Sequence, residues 1–157
     1  MTASTFASLD IVSNWGRLND TIIQLVDVIP DDKLNWSPKP ELWNFKGILI
    51  HLCWARHNWL ARDVQDGQPS PNVISEAQTK EGIKDHLDLS WRRLERFLSN
   101  KDQLPATYKA EHEDGQHYSH TGHWIAYHLL EHDIHHRSDI FHYLALLGIQ
   151  HPDVGTP

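Results

Sequence analysis

Four histidines, His128, His132, His135 and His136, fall in the stretch from Trp124 to Ile140, which contains neither glycine nor proline. An α-helix turns about 100° per residue, so residues four apart lie about 40° apart on one face. His128, His132 and His136 therefore stack along one side of about two turns, with Ile125, Asp139 and Tyr143 close to the same stripe. Two imidazoles one turn apart can chelate a divalent cation, and imidazole suits zinc, nickel, copper and iron. Without a metal, inward-facing rings would have to be neutral and hydrogen-bonded, at a desolvation cost. One histidine on an apolar face is usually a satisfied core residue; three in register point to metal binding.

The elements that must position these rings are helical. Leu9, Val12, Trp15, Leu18, Ile22, Leu25, Val26 and Ile29 recur at helical spacing, predicting a first helix over residues 5–29 that Pro30 ends. Three prolines keep residues 30–43 in a loop, whose Leu34, Trp36 and Trp43 are expected to plug the end of the core. Asn44 is placed to cap a second helix reaching Asp66, with Ile48, Leu52, Ala55 and Trp59 inward and His51 in the same half. Cys53 lies two residues past His51, about 200° around the axis, which argues against a Cys–His nucleophilic pair. His57 falls off the stripe and reads as an edge or surface residue.

Ser75 and Gln78 resemble a capping box that would open a third helix over residues 76–99, with Ile83, Leu87, Trp91, Leu94 and Leu98 as its apolar face. His86, Arg92, Arg93, Glu95 and Arg96 read as its solvated side. Asp114-Gly115 is a turn signal between two short runs, 107–112 and 116–120, so a hairpin is expected there. Its neighbours His112, His117, His120 and His123 read as polar surface rather than a second metal site. Thr121 should cap the last helix, which runs to Leu147 before Gly148. The pattern predicts an all-α fold, a four-helix bundle in a single domain spanning residues 1–157, with its ligand site between facing helices.

Composition narrows the function classes. The 157 residues carry a formal net charge of −7 with no Lys/Arg-rich run, which argues against nucleic acid and against anionic membranes as partners. The first ten residues lack a basic region and an apolar core, and no apolar run approaches the roughly 18 residues of a membrane span. Cys53 is the single cysteine, so no intrachain disulfide can form and a cytoplasmic setting is expected. Thirteen histidines and seven tryptophans are the excess that a function must explain.

Several local patterns coincide with one family. Pro38-Lys-Pro-Glu-Leu-Trp43 leads into Ile48-Leu-Ile-His51-Leu52. Downstream come Trp124, His128-Leu-Leu-Glu-His132-Asp-Ile-His-His136-Arg137, and Leu146-Leu-Gly-Ile149 followed by Pro152. Over nearly the whole chain this resembles the DinB-like (damage-inducible, YfiT-type) superfamily. The resemblance implies an up-down-down-up bundle in which His51, His132 and His136 bind one divalent metal; zinc is the expected ion, ahead of nickel or iron. It also implies a thiol-dependent S-transferase that joins a low-molecular-weight thiol to a small electrophilic substrate, in a homodimer. The family usually places Gly-Gln or Gly-Glu after the arginine; Ser138-Asp139 stands there instead.

Within that reading His128, Asp139 and Tyr143 are the candidates for supporting roles. His128 would shuttle a proton or hold a hydrogen bond, Asp139 would orient a ligating imidazole, and Tyr143 would offer a donor at the pocket wall. Two other readings compete. A non-catalytic metal-binding bundle in stress response or partner recognition needs the same ligands. A metal-dependent hydrolase would use His128-Leu-Leu-Glu131-His132 as an inverted zincin motif, yet no glutamate follows Glu131 to serve as its third ligand.

Overall fold

The computed structural model of the chain describes residues 10–153. Helix α1 (Ile11–Val28) begins where the Asp10 carboxylate accepts from the Ser13 amide at 3.0 Å. That cap sets the first turn at Ile11, while the expected start near residue 5 and Leu9 of the predicted stripe lie outside the described residues. Trp15, Leu18, Ile22, Leu25 and Val26 bury one face. Past Pro30 a 3₁₀ turn (Asp31–Lys33) opens the loop that reaches Asn44. Leu34 is buried and Trp36 packs against the core, as expected, but Trp43 is 51% exposed and plugs nothing.

Helix α2 (Phe45–Trp59) is capped by Asn44, whose side chain accepts from the Gly47 amide at 2.7 Å. It continues into a π-helical turn (Leu60–Val64), which Gln65 ends in the left-handed region at φ 54°. The predicted capping box at Ser75 does not form. Asn72 caps the short helix α3 (Val73–Glu76) instead, and Thr79 caps α4 (Lys80–Ser99) by accepting from Gly82 at 3.1 Å. Either residue satisfies an orphan amide of a first turn, and Thr79 stands immediately before the periodic apolar run that it opens.

Strands β1 (Thr107–Glu111) and β2 (His117–Thr121) pair antiparallel, Thr107 opposite Thr121 and Glu111 opposite His117. This hairpin makes the fold mostly helical rather than purely α. Helix α5 (Gly122–Leu146) starts directly from β2, capped by Thr121 at 3.2 Å from the Trp124 amide. Gly122 is required there: a Cβ would sit 2.2 Å from the Gln103 carbonyl oxygen and 2.7 Å from that of Leu104. Helix α1 packs on α4 and α5, and α2 packs on the same two, so the four long helices enclose one apolar core. No helix among the described residues is long and apolar enough to cross a membrane.

Candidate metal centre

Helices α2 and α5 lie side by side, and the groove between them collects His51 from the first and His132 and His136 from the second. One nitrogen from each of these three rings falls within 4.8 Å of the others. The Nε2 atoms of His51 and His132 stand 2.9 Å apart. Two imidazole nitrogens on one tetrahedral zinc, at a metal–nitrogen length of about 2.0–2.1 Å, would be roughly 3.3 Å apart. A shift of a few tenths of an ångström brings His51 and His132 to that spacing, His136 offers a nitrogen within 4.8 Å of both, and the donor set suits a divalent cation.

The protonation states agree with that fit. Burial pushes His51 down to about 4 and His132 down to about 3, and the neighbouring rings push the same way. Burial also lowers His136, partly offset by Asp139. All three rings are therefore neutral near pH 7 and present lone pairs. Asp139 accepts from the His136 Nδ1 at 3.0 Å, which fixes the tautomer and leaves Nε2 as the basic nitrogen. The buried Nδ1 of His132 has no hydrogen-bond partner.

Aromatic rings wall the cluster. The Trp43 indole lies 4.4 Å from the His51 ring centroid and 6.0 Å from that of His136, and Trp54 stacks on His51 at 5.8 Å. Beside the trio opens a cleft of about 350 Å³, lined by Glu41, Trp43, Ile48, His135, Asp139 and Tyr143 among others. Tyr143 is held by Trp36 and Phe45, and burial, followed by the Asp139 charge, raises its hydroxyl above the ordinary tyrosine range. It therefore faces the cleft as a protonated donor. His135, exposed, reaches Asp139 at 3.6 Å.

The helical stripe and the convergent set differ by one residue. His128 is on the stripe, but its ring stacks on Trp124 at 5.2 Å and leans on Trp59 at 4.8 Å, with 6.3 Å to the His132 centroid. Among the described residues, neither His128 nor Glu131 belongs to any group of three or more ligand atoms close enough to share a metal. The inverted zincin arrangement is thus not assembled. Two other expectations fail on burial. His57 is 2% and His86 7% exposed, because α2 and α4 pack face to face where a helical wheel alone suggested edge and solvent. Arg93, also read as solvated, is 4% exposed and binds Asp66 through two nitrogens at 2.6 and 2.7 Å.

Sequence reasoning missed a polar cluster directly behind the site. Arg56 and Asp133 are wholly buried and paired at 2.8 Å. The Arg56 guanidinium also donates to Asn19 Oδ1 at 2.7 Å, Ser90 Oγ at 3.2 Å and the Leu87 carbonyl at 3.4 Å. Trp15 Nε1 donates to Asp133 Oδ2 at 2.7 Å. A usable signal was present: Asp133 lies four residues past Leu129 and seven before Ile140, and Arg56 lies four past Leu52 and four before Leu60, so each charge interrupts an apolar stripe. A charge at a core position must have a partner.

With the geometry in place, comparison with known proteins gives a consistent result. The DinB family profile matches residues 1–157. Among solved structures, a DinB-family chain from Exiguobacterium sibiricum 255-15 superposes with a TM-score of 0.68 at 18% identity, covering 91% of this chain and 93% of that one. The DinB-like protein YjoA of Bacillus subtilis gives 0.66 at 17% identity over 92% and 96%. A DinB-like protein of Bacillus cereus gives 0.67 at 17% over 93% and 95%. At these identities the likeness is one of fold. Among curated proteins no sequence matches.

Proposed function

The chain belongs to the DinB family, and from that premise we propose that it binds one divalent metal through His51, His132 and His136 and transfers a low-molecular-weight thiol to a small electrophile. The observation that carries this reading is the convergence of three neutral, half-buried imidazole nitrogens beside an open cleft. Three protein ligands leave coordination positions free, which is the mark of a reactive rather than a closed structural site. When bound, zinc, nickel or iron supplies Lewis acidity that favours the thiolate form of a thiol. The four long helices are read as an up-down-down-up bundle of the DinB type, assembled as a homodimer.

The residues of the chain have separable tasks in this reading. His51, His132 and His136 hold the cation; Asp139 orients His136 and raises its basicity. Trp43 and Trp54 shield the trio from water. As the thiol sulfur bonds to the electrophile, the thiol's proton ends on the electrophile's acceptor or departing group, to which the Tyr143 hydroxyl donates a hydrogen bond. The single cysteine cannot supply the nucleophile, since Cys53 is wholly buried and its thiol is pushed up to about 12 by burial. The sulfur must come from outside the chain.

Elemental analysis of protein purified without a nickel column, beside His51→Ala and His132→Ala, tests the first half. One metal ion per parent chain and little in either variant is expected. Unchanged metal content in both variants overturns the ligand set. Loss of free thiol from mixtures with small electrophiles tests the second half. A metal-loaded parent that consumes no thiol leaves the non-catalytic bundle as the reading.

A further inference from the structure

A buried ion pair needs a reason. The Coulomb attraction regained inside a protein often does no more than offset desolvation, and replacing such a pair by apolar residues of similar volume is commonly neutral or stabilising. Arg56 and Asp133 have side chains that are 0% exposed, so the pair sits in that regime. Its location suggests what it does. Arg56 lies five residues beyond His51 on α2, and Asp133 is the residue immediately after His132 on α5. The same two helices are thus joined twice, once in the groove by His51 and His132 and once in the core by the ion pair.

We propose that Arg56 and Asp133 are positioning residues, which register α5 against α2 so that His51 and His132 meet nitrogen to nitrogen. Apolar contact between helices is non-directional and does not by itself define one axial register. The residues around the pair, Leu52, Cys53 and Leu129, are all fully buried and apolar. A slip of one residue moves a helix by about 1.5 Å along its axis and turns it by about 100°. Either motion destroys the 2.9 Å contact between His51 and His132. A forked guanidinium on a carboxylate is directional and tolerates neither.

The other two long helices lock the same level. Trp15 from α1 donates to the Asp133 carboxylate, Asn19 from α1 accepts from Arg56, and Ser90 and Leu87 from α4 accept from the same guanidinium. One charge pair therefore fixes four helices at the height of the histidine trio. The pair neither lines the cleft nor joins the converging nitrogens. Its charges reach His132 and His136 through space, so the distance between the His51 and His132 rings, rather than affinity alone, reads its hold on the backbone.

This inference rests on the proposed metal site, and the test separates the two. The double variant Arg56→Met with Asp133→Leu removes both charges and keeps volume. Three quantities are compared with the parent: the thermal midpoint, the Kd for Zn²⁺, and, in metal-free protein, the proton NOE between the His51 and His132 rings, whose centroids are 4.8 Å apart. The expected result is an unchanged or higher midpoint, a Kd weakened about tenfold or more, and loss of the NOE. Retention of the NOE with a Kd within about twofold of the parent overturns the proposal. If the parent takes up no Zn²⁺, the metal reading fails, and the NOE still decides the positioning role. If the double variant does not fold, Arg56→Lys, which keeps the charge and loses the fork, is read by the same NOE and Kd.

Discussion

Two sets of buried histidines on α2 look alike until their nitrogens are traced. On the α5 side, His51 joins His132 and His136; on the α4 side, His57 faces His86 with ring centroids 6.5 Å apart. Burial depresses His57 to about 4, the same value as His51, and both regions contain an imidazole nitrogen without a partner. They differ in what already holds the rings. Arg93 donates to His57 Nδ1 at 3.2 Å, and Glu76 sits 3.1 Å from His86 Nε2. Each ring is held by a charged group, and among the described residues His57, His86 and Glu76 do not bring three ligand atoms close enough to share a metal. In the groove the nitrogens point at one another, with no arginine among them. A depressed histidine pKa marks burial; convergence marks a metal site.

That contrast can be broken most directly by metal affinity. His132→Ala should weaken Zn²⁺ binding by about 3 kcal/mol, roughly a quarter of what a full structural zinc site contributes, whereas His57→Ala should leave it unchanged. Isothermal titration of both variants checks the pair. Equal losses would mean that burial, not convergence, defines the site.

Stability should show the reverse order. Arg93, 4% exposed, ties the loop at Asp66, Gln68 and Pro69 as well as His57. Arg93→Met should cost about 3 kcal/mol of folding stability, because it strands a charged partner, while leaving Zn²⁺ affinity within about twofold. Urea melts of metal-free protein would measure the first and titration the second. A matching fall in affinity would tie the two regions together.

The smallest expected effect is in pH dependence. Folded His51 and His57 titrate near 4 and His132 near 3, below the 6.5 of an exposed imidazole. The unfolded chain therefore binds more protons than the folded one in that interval, and stability rises with pH there. It should be fully present above about pH 6.5 and decline as the pH falls toward 4. Denaturation midpoints of the metal-free chain between pH 4 and pH 7 test this, and His57→Ala and His132→Ala should each flatten the slope. Zinc held by the folded chain should extend the contribution of His132 to lower pH, because a ligating imidazole binds no proton, and should spare that of His57.

Much of this molecule is written in local pattern. Asn44, Thr121 and the turn at Asp114-Gly115 mark helix starts and a hairpin from sequence alone, since caps and turns are set by a few neighbouring residues. The spacing of His132 and His136 puts both on one face of α5 by helical geometry. What their neighbours would be was not legible. His128 shares that face yet packs on Trp59 and Trp124, because α2 offers an indole at that level rather than an imidazole. The stripe of α2 puts His51 in the inward half and His57 off it, but His51 enters the ligand set only by resemblance, since nothing local says which helix it faces.

Helical period and caps, then, were determined by the chain itself, because they depend on residues within one turn of each other. The register of α5 on α2, the burial of His57, His86 and Arg93, and the exposure of Trp43 were decided only by packing. They depend on residues brought from distant parts of the chain: His51 and His132 are 81 positions apart, and Arg56 and Asp133 are 77. Periodicity says which way a side chain points from its own axis; only the facing helix says what it meets.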